Sequence, residues 1–389
     1  MALERELAER AWATGRLGID TEFMGEGRYR ALLCLVQVAV DDDGGDRTQA
    51  RVEVLDPLQG ELDPSPLAEV LADPQIEIVM HAGRQDVALL KRVWNTEVTN
   101  VFDTQLAAGF AGLRAQLGYE PLLAEVLGVR LRKSASFTRW DARPLSPEQV
   151  EYAREDVLHL LALAEALQER LDRLGRLQWA QEECRALEAA SDVREVDGVF
   201  ERLPRVSSLD PAQRAVAREL AAWREETARE ADRPVQTVLS DAGLVEIAKR
   251  RPKTMERLKQ IRGVNEATMH RRGKALLEVV ERGRERDPIP VDGERPAQPH
   301  PQDAVLIALG EALVRARALE SGVAYELIAA KADLQRIALA VRDGTPEPDV
   351  RTLQGWRREL VGAELIELLH GGLTLGIGED RRLRVAAAP

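Results

Sequence analysis

Four acidic side chains occupy positions where local structure would aim them at one another. Asp20 and Glu22 are two residues apart in an apolar run typical of a strand, so both side chains leave the same face of the sheet. Asp86 follows a later apolar run, just inside a helix, and Asp156 lies four residues after Tyr152 on one face of a longer helix. Carboxylates that converge in this way repel one another unless cations lie between them, and they favour hard divalent ions such as magnesium or manganese.

Each of these signals also has an ordinary structural interpretation. An Asp-x-Glu pair on a strand is a weak signal by itself, and an acid that opens a helix, such as Asp86, is typical of pairing with the helix dipole. Tyr152 and Asp156 alone describe an ordinary helix face, and His81 is more typical of a core or capping residue than of a ligand. The chemical interpretation therefore depends on whether the elements converge.

The first hundred residues alternate between strands and helices. Three apolar runs joined by short turns predict an antiparallel meander, at residues 17–23, 32–40 and 52–55. The strand-helix-strand order over 76–102 predicts parallel pairing, so the expected sheet is mixed and five-stranded. Ser146 and Gln149 form a capping-box pattern that begins a helix, which we expect to continue to about Gly175.

Composition and charge narrow the classes of protein to which this chain can belong. Its 389 residues are 44% hydrophobic and 31% charged, which excludes a disordered chain and predicts two or three domains. Two cysteines are too few for a disulfide framework. The sequence lacks a long apolar run and a secretory signal pattern, so we expect a soluble, cytoplasmic protein. A net charge of −12 argues against nucleic-acid binding over the whole surface but permits a local basic patch.

The pattern of helices and polar stretches divides the chain into three units and two linkers. The expected bounds are 1–190 for the α/β unit, 191–208 for a linker, 209–285 for a helical unit, 286–301 for a proline-rich linker and 302–389 for a second helical unit that ends in a frayed tail.

The residues of these motifs and their order along the chain resemble those of the ribonuclease D family of 3′-5′ exonucleases. The resemblance spans residues 16–175 and rests on these segments: Asp20-Thr-Glu-Phe23, Leu33-Cys-Leu-Val-Gln37, His81-Ala-Gly-Arg-Gln-Asp86, Phe102-Asp-Thr-Gln105, Trp140-Asp-Ala-Arg-Pro-Leu145 and Tyr152-Ala-Arg-Glu-Asp156. It implies a ribonuclease H-like fold and two divalent metal ions, Mg²⁺ or Mn²⁺.

The resemblance also implies a role for each residue of the cluster. Asp20 would bridge both ions, Glu22 and Asp156 would complete the site of the ion that activates the nucleophile, and Asp86 would support the second ion. Tyr152 would orient the attacking water. We further assign Phe23, Tyr29, His81 and Gln85 to contacts with the 3′ end of the nucleic acid, and recognition of the 2′-hydroxyl to side chains near Phe23, Tyr29 and Phe137.

A basic segment marks the second unit, which resembles the HRDC domain shared by ribonuclease D and RecQ-type helicases. Residues 249–274 contain ten lysines and arginines against two glutamates, which is typical of a surface that follows a phosphate backbone, although a solvated helix face is the alternative. The residues that we assign to nucleic-acid contact are Lys249, Arg250, Arg251, Lys253, Lys259, Arg262, Arg271, Arg272 and Lys274. The third unit is HRDC-like by position.

The predicted function is that of a metal-dependent 3′-5′ exoribonuclease that releases 5′-mononucleotides from single-stranded 3′ ends. The implied substrates are structured RNA precursors such as transfer RNA, and the resemblance implies a monomer. Two alternatives stay open: a 3′-5′ DNA exonuclease, because similar catalytic cores act on DNA, and a non-catalytic RNA-binding scaffold.

Overall fold

The computed structural model describes residues 2–41, 50–131, 139–264, 266–291 and 300–389. Within these residues the first unit contains one five-stranded sheet, whose strands in chain order are β1 Arg16–Met24, β2 Leu32–Asp41, β3 Ala50–Leu55, β4 Glu77–Met80 and β5 Val101–Asp103. Their order across the sheet is β3-β2-β1-β4-β5. β1, β2 and β3 pair antiparallel, whereas β4 pairs parallel with both β1 and β5. The predicted mixed sheet is confirmed.

Helices cover both faces of this sheet because side chains on β1 alternate between the two sides. They are α1 Ala2–Thr14, α2 Ser65–Ala72, α3 Arg84–Trp94, α4 Thr104–Phe110, α5 Tyr119–Val126, α6 Pro147–Leu158, α7 Leu160–Arg173 and α8 Leu177–Glu188. Leu17 and Ile19 share an apolar cluster with residues of α1, α2 and α3. α6 and α7 pack on the opposite face, the face towards which Asp20 and Glu22 project.

The helix that begins at Ser146 is shorter than expected. Its capping box with Gln149 is confirmed, but the helix ends at Leu158, and His159 separates it from α7 with φ −108° and ψ 7°. The prediction of one continuous helix to Gly175 is wrong. The break lets α6 pack on β2 and β3 while α7 packs on β2 and β4, so the two halves follow different parts of the twisted sheet.

The second unit is helical, as expected, and its helices after residue 209 are α10 Pro211–Glu230, α11 Val235–Val238, α12 Asp241–Arg250, α13 Met255–Lys259 and α14 Glu266–Glu285. The preceding stretch, expected to be an irregular linker, instead contains helix α9 Val196–Glu201. Phe200, Leu203 and Val206 from this stretch are buried in the same apolar cluster as α10 and α14. Their spacing of three residues places them on one side of the chain, so this stretch contributes to the core of the second unit.

The first three helices of the third unit have 21, 4 and 13 residues, close to the 20, 4 and 10 residues of α10, α11 and α12. Its helices are α15 Pro301–Ser321, α16 Tyr325–Ile328, α17 Lys331–Asp343, α18 Gly355–Arg357 and α19 Ala363–Leu369. The expected frayed tail is wrong, because β6 Leu373–Ile377 pairs antiparallel with β7 Leu383–Ala387 to form a hairpin. Half of the predicted proline-rich linker, residues 292–299, lies outside the described residues. In the part of the chain that is described, no helix is long and apolar enough to cross a membrane.

Aromatic packing joins the third unit to the first. The Trp356 ring stacks on that of Trp179 with centroids 5.3 Å apart, and it packs edge-to-face with the Phe110 ring at a centroid separation of 5.0 Å. The backbone amide of Ala324 donates to the carbonyl of Gly109 at 3.0 Å, where a Cβ on Gly109 would clash with Leu327. The third unit is therefore docked on the first unit through a shared core.

Replacing Trp356 with alanine is expected to lower the free energy of unfolding by about 3–5 kcal/mol, because the change leaves a cavity between two aromatic rings. Denaturant unfolding measured by circular dichroism checks this. Trp12→Ala is the matched control, because Trp12 is 40% exposed and should contribute little. Equal losses in the two variants would contradict the docking role of Trp356.

Candidate active site

The structure brings the four predicted acids together near the carboxyl ends of β1 and β4. Asp20 and Glu22 lie on β1, and Asp86 lies in the first turn of α3, directly after the parallel neighbour β4. Asp156 lies on α6, which packs against β1. Elements that are distant in sequence thus converge, as the chemical interpretation requires.

Burial and neighbouring charge raise the pKa of the acids in this cluster. The pKa of Asp20 is raised well above its usual value, first by burial and then by the charges of Asp86, Asp156 and Glu22. The pKa of Glu22 is raised to about 8 by burial and then by Asp156 and Asp86, and burial raises that of Asp156 to about 7. Among the described residues, none of the four forms an ion pair with a lysine or arginine. The site therefore concentrates negative charge with no protein cation to offset it.

This donor set fits hard divalent cations. Its ligands are all carboxylate oxygens, which magnesium and manganese prefer over nitrogen or sulfur. The described part of the chain contains no group of three or more His, Cys, Asp or Glu already close enough to form a metal cage.

Tyr152 lies beside the carboxylates and packs against the Trp140 ring, with centroids 6.0 Å apart. Burial raises the pKa of its hydroxyl to about 12, and the charges of Asp156, Glu22 and Asp20 add to the shift. The hydroxyl is thus neutral at physiological pH. It can donate or accept a hydrogen bond but is a poor general base.

Two further residues, to which the motifs assign no role, contact the cluster. The Thr21 side chain leaves the opposite face from Asp20, yet its buried hydroxyl donates a hydrogen bond to the Asp86 carboxylate. Gln37 lies opposite Asp20 on β2 and is fully buried, and neither atom of its amide has a hydrogen-bond partner among the described residues. The sequence signal for Gln37 is a polar residue within an apolar strand. No sequence signal indicated the contact between Thr21 and Asp86.

His81 directly follows β4. Its Nδ1 is 2.9 Å from the Thr104 hydroxyl, and its ring contacts Tyr119 with centroids 5.4 Å apart. Burial lowers the pKa of His81, so the ring is held neutral. The structure thus gives His81 the environment of a core histidine, and Tyr119, which the sequence did not single out, covers it.

The other three predicted 3′-end contacts line one cavity of about 490 Å³, which we call the junction cavity. Phe23 and Gln85 adjoin the acids Glu22 and Asp86 in the chain, and Tyr29 lies on the β1–β2 connection. The remaining lining residues are Arg30, Ala31, Arg84, Ala88, Leu89, Ala190, Ser191, Asp192 and Arg194. Phe137 lies outside the described residues.

The predicted basic surface of the second unit is largely exposed and unpaired. Seven of its nine side chains are exposed, and Arg251 and Arg272 are half-buried. Between described residues, only Arg250 of this set forms an ion pair, with Glu246. The others, Lys249, Arg251, Lys253, Lys259, Arg262, Arg271, Arg272 and Lys274, keep their charge available, which favours the binding interpretation over a surface of internal salt bridges.

Two known families match successive parts of the chain. Residues 2–172 match the family described as 3′-5′ exonuclease, and residues 213–280 match the HRDC domain. The first match contains all four acids and Tyr152, and the second contains the basic surface.

Similar proteins extend over nearly the whole chain. Ribonuclease D of Gluconacetobacter diazotrophicus is 38% identical over 380 residues, covering 95% of this chain and 92% of the relative. Ribonuclease D of Granulibacter bethesdensis is 37% identical and covers 92% and 88%. The crystal structure of Escherichia coli RNase D, described as an exoribonuclease involved in structured RNA processing, has a TM-score of 0.79 at 29% identity and covers 95% and 96%.

Proposed function

The chain belongs to the ribonuclease D family of divalent-metal-dependent 3′-5′ exoribonucleases, and from this premise we propose that Asp20, Glu22, Asp86 and Asp156 hold two divalent ions, Mg²⁺ or Mn²⁺. The observation that carries the proposal is the convergence of four carboxylates, in which the other acids raise the pKa of Asp20 and Glu22 and, among the described residues, no lysine or arginine pairs with any of the four. Such ions supply activation of the attacking water and stabilisation of the leaving oxygen in phosphodiester hydrolysis.

The protein's own residues orient the reaction. Asp20 faces all three other acids and is the central ligand of the proposed site. The Thr21 hydroxyl donates a hydrogen bond to Asp86, and this bond fixes the position of the Asp86 carboxylate. Tyr152, neutral and fixed against Trp140, orients the attacking water through its hydroxyl. We place the hydrolysis of the last phosphodiester bond of the strand at this point.

Tyr152→Phe is expected to lower kcat on RNA about 10²-fold with little change in KM, because the ring still packs on Trp140 while the orienting hydroxyl is removed. Steady-state digestion of a single-stranded RNA measures both constants. Tyr325→Phe, in the third unit, is the control and should retain full activity. A Tyr152→Phe enzyme as fast as the wild type would remove Tyr152 from the mechanism.

We propose that the substrates are single-stranded 3′ ends of structured RNA, such as transfer RNA precursors, processed in the cytoplasm by a monomer. The similarity to Escherichia coli RNase D supports this substrate class. Digestion of a 3′-tailed RNA and a matched DNA, with Asp156→Ala as the control, tests it. Stepwise release of 5′-mononucleotides from RNA is expected; faster digestion of DNA would favour a DNA exonuclease, and no digestion with either ion would favour a binding scaffold.

The second unit, residues 209–285, is proposed to hold the RNA through its basic surface. Replacing Lys253, Lys259 and Arg262 with glutamine is expected to weaken binding of tailed RNA and to reduce the slope of log Kd against log salt by about one for each phosphate group that the variant no longer neutralises. Fluorescence anisotropy at several salt concentrations measures this. Arg229→Gln is the control, because Arg229 lies outside the basic surface and pairs with Glu226. An unchanged salt slope in the triple variant would refute the RNA-binding role.

A further inference from the structure

The segment Trp140–Leu145 is a motif of the sequence of which the proposed mechanism uses only Trp140. The segment forms neither helix nor strand and leads directly to Ser146, the cap of α6. Trp140 is nonetheless buried, in an apolar cluster that contains Cys34 and Leu35 of β2. Because the segment lacks the repeating backbone hydrogen bonds of a helix or strand, side-chain contacts must hold it in this position.

The Arg143 guanidinium supplies these contacts. Its Nε and Nη2 donate to the two carboxylate oxygens of Asp56, which directly follows β3, at 2.7 and 2.6 Å. Nη2 also donates to the Cys34 carbonyl on β2 at 3.0 Å, and Nη1 donates to the carbonyls of Trp140 and Ala142 at 2.7 and 2.8 Å. These contacts use all five N–H donors of the guanidinium. One side chain therefore ties the backbone of the segment to β2 and to the end of β3.

The pair between Arg143 and Asp56 differs from an ordinary surface salt bridge. The two side chains are only 16% and 20% exposed, so the pair is largely shielded from water and salt. The guanidinium meets the carboxylate through two hydrogen bonds at once, a geometry that fixes the relative orientation of both groups. The pair is therefore suited to holding the segment in one position on the sheet.

Trp140 extends this constraint to the catalytic helix α6. Its ring packs against the Tyr152 ring with centroids 6.0 Å apart, and Ala153 of the same helix lies in the apolar cluster around Trp140. Tyr152 is half-buried, so a neighbour packed on its ring limits the positions that its hydroxyl can take. Movement of Trp140 would thus move the hydroxyl relative to the carboxylates.

We propose that Arg143 and Asp56 are positioning residues for the reaction: their ion pair holds Trp140 against Tyr152 and so sets the place at which the Tyr152 hydroxyl orients the attacking water. This inference rests on the proposed function, and it adds to that function two residues outside the catalytic cluster. The segment before α6 then serves catalysis by fixing a side chain that lies on the helix after it.

Arg143→Gln is expected to lower kcat on a single-stranded RNA about tenfold with KM changed less than about twofold, because a displaced hydroxyl affects the reaction more than RNA binding. Asp56→Asn keeps the shape of the carboxylate and should give the same division between kcat and KM. It provides the same test should melting temperatures show that Arg143→Gln is unfolded. Arg139→Gln is the matched control, because Arg139 precedes the same segment, is 72% exposed and pairs with Asp141.

The double variant Arg143→Gln, Tyr152→Phe separates positioning from a general loss of stability. Because Arg143 is proposed to act through the Tyr152 hydroxyl, removing that hydroxyl first should leave Arg143→Gln with less than about a twofold further effect on kcat. Losses that multiply in the double variant would show that Arg143 acts by another route and would overturn the proposal. A kcat unchanged by both Arg143→Gln and Asp56→Asn would overturn it as well.

Fluorine NMR of protein labelled with 3-fluorotyrosine reports the surroundings of Tyr152 without turnover. The chain has four tyrosines, and Tyr152→Phe assigns the signal. In EDTA, Arg143→Gln and Asp56→Asn should shift this signal and Arg139→Gln should not; an unshifted signal in the first two variants overturns the proposal. A wild type inactive on RNA, or a Tyr152→Phe enzyme as fast as the wild type, would instead refute the proposed function, so the two failures are distinguishable.

Discussion

Asp20→Asn is expected to reduce single-turnover cleavage of RNA on the order of 10³-fold, the largest effect of any single substitution in this protein. Asp20 is the one acid whose pKa is raised by all three of the others, so it lies at the centre of the cluster. An amide keeps the shape of the side chain but removes the charge that would be shared between two cations. Rapid-quench digestion of a 3′-tailed RNA measures the loss.

The same substitution should stabilise the chelator-treated protein. Burial and repulsion raise the pKa of Asp20 in the folded state, so keeping this carboxyl in the fold at neutral pH costs free energy. A neutral amide removes that cost, and the melting temperature in EDTA should rise while activity is lost. Asp172→Asn, an exposed acid on α7, should change neither quantity. A variant with lower stability would show that Asp20 has a structural role and would contradict the assignment.

The sequence predicts most of the catalytic unit because its signals are local. Apolar runs define β1 and β2, and the short turns between strands define the antiparallel part of the sheet. The pairing of Ser146 with Gln149 identifies the start of α6. The direction of Asp20 and Glu22 follows from the period of the strand alone, which is why spacing could indicate that they share a face.

Features that depend on packing between distant segments were not predictable in this way. The break at His159 depends on how α6 and α7 meet different strands, and the hairpin near the end of the chain depends on pairing across a turn. The Thr21–Asp86 hydrogen bond joins β1 to α3 through the side chain that leaves the face of β1 opposite Asp20. The alternation of side chains along the strand does not predict such a contact. Tyr29 was predicted as a 3′-end contact, but its bond to Glu225 required the docked position of the second unit.

The charge cluster also has a consequence for stability that removal of divalent ions should reveal. In EDTA the enzyme is expected to lose all measurable activity, and its free energy of unfolding should fall as the pH rises from 6 to 8. The pKa of Glu22 is about 8 in the folded protein against an ordinary value of 4.5, and that of Asp156 is about 7 against 3.8. A carboxyl with a raised pKa stabilises the fold while it is protonated, and this contribution is lost as the pH passes through the folded-state pKa.

Divalent ions should reverse this dependence. Because ions bind the deprotonated carboxylates, the stabilisation gained on adding Mn²⁺ or Mg²⁺ should grow over the same pH range. Calorimetric melts at pH 6, 7 and 8, with EDTA and with each ion, measure both effects. The double variant Glu22→Gln, Asp156→Asn removes the two titrating groups and should flatten the profile. If the profile of the wild type in EDTA were already flat, the carboxylates would not be coupled as the structure indicates, and the proposed ion site would lose its electrostatic basis.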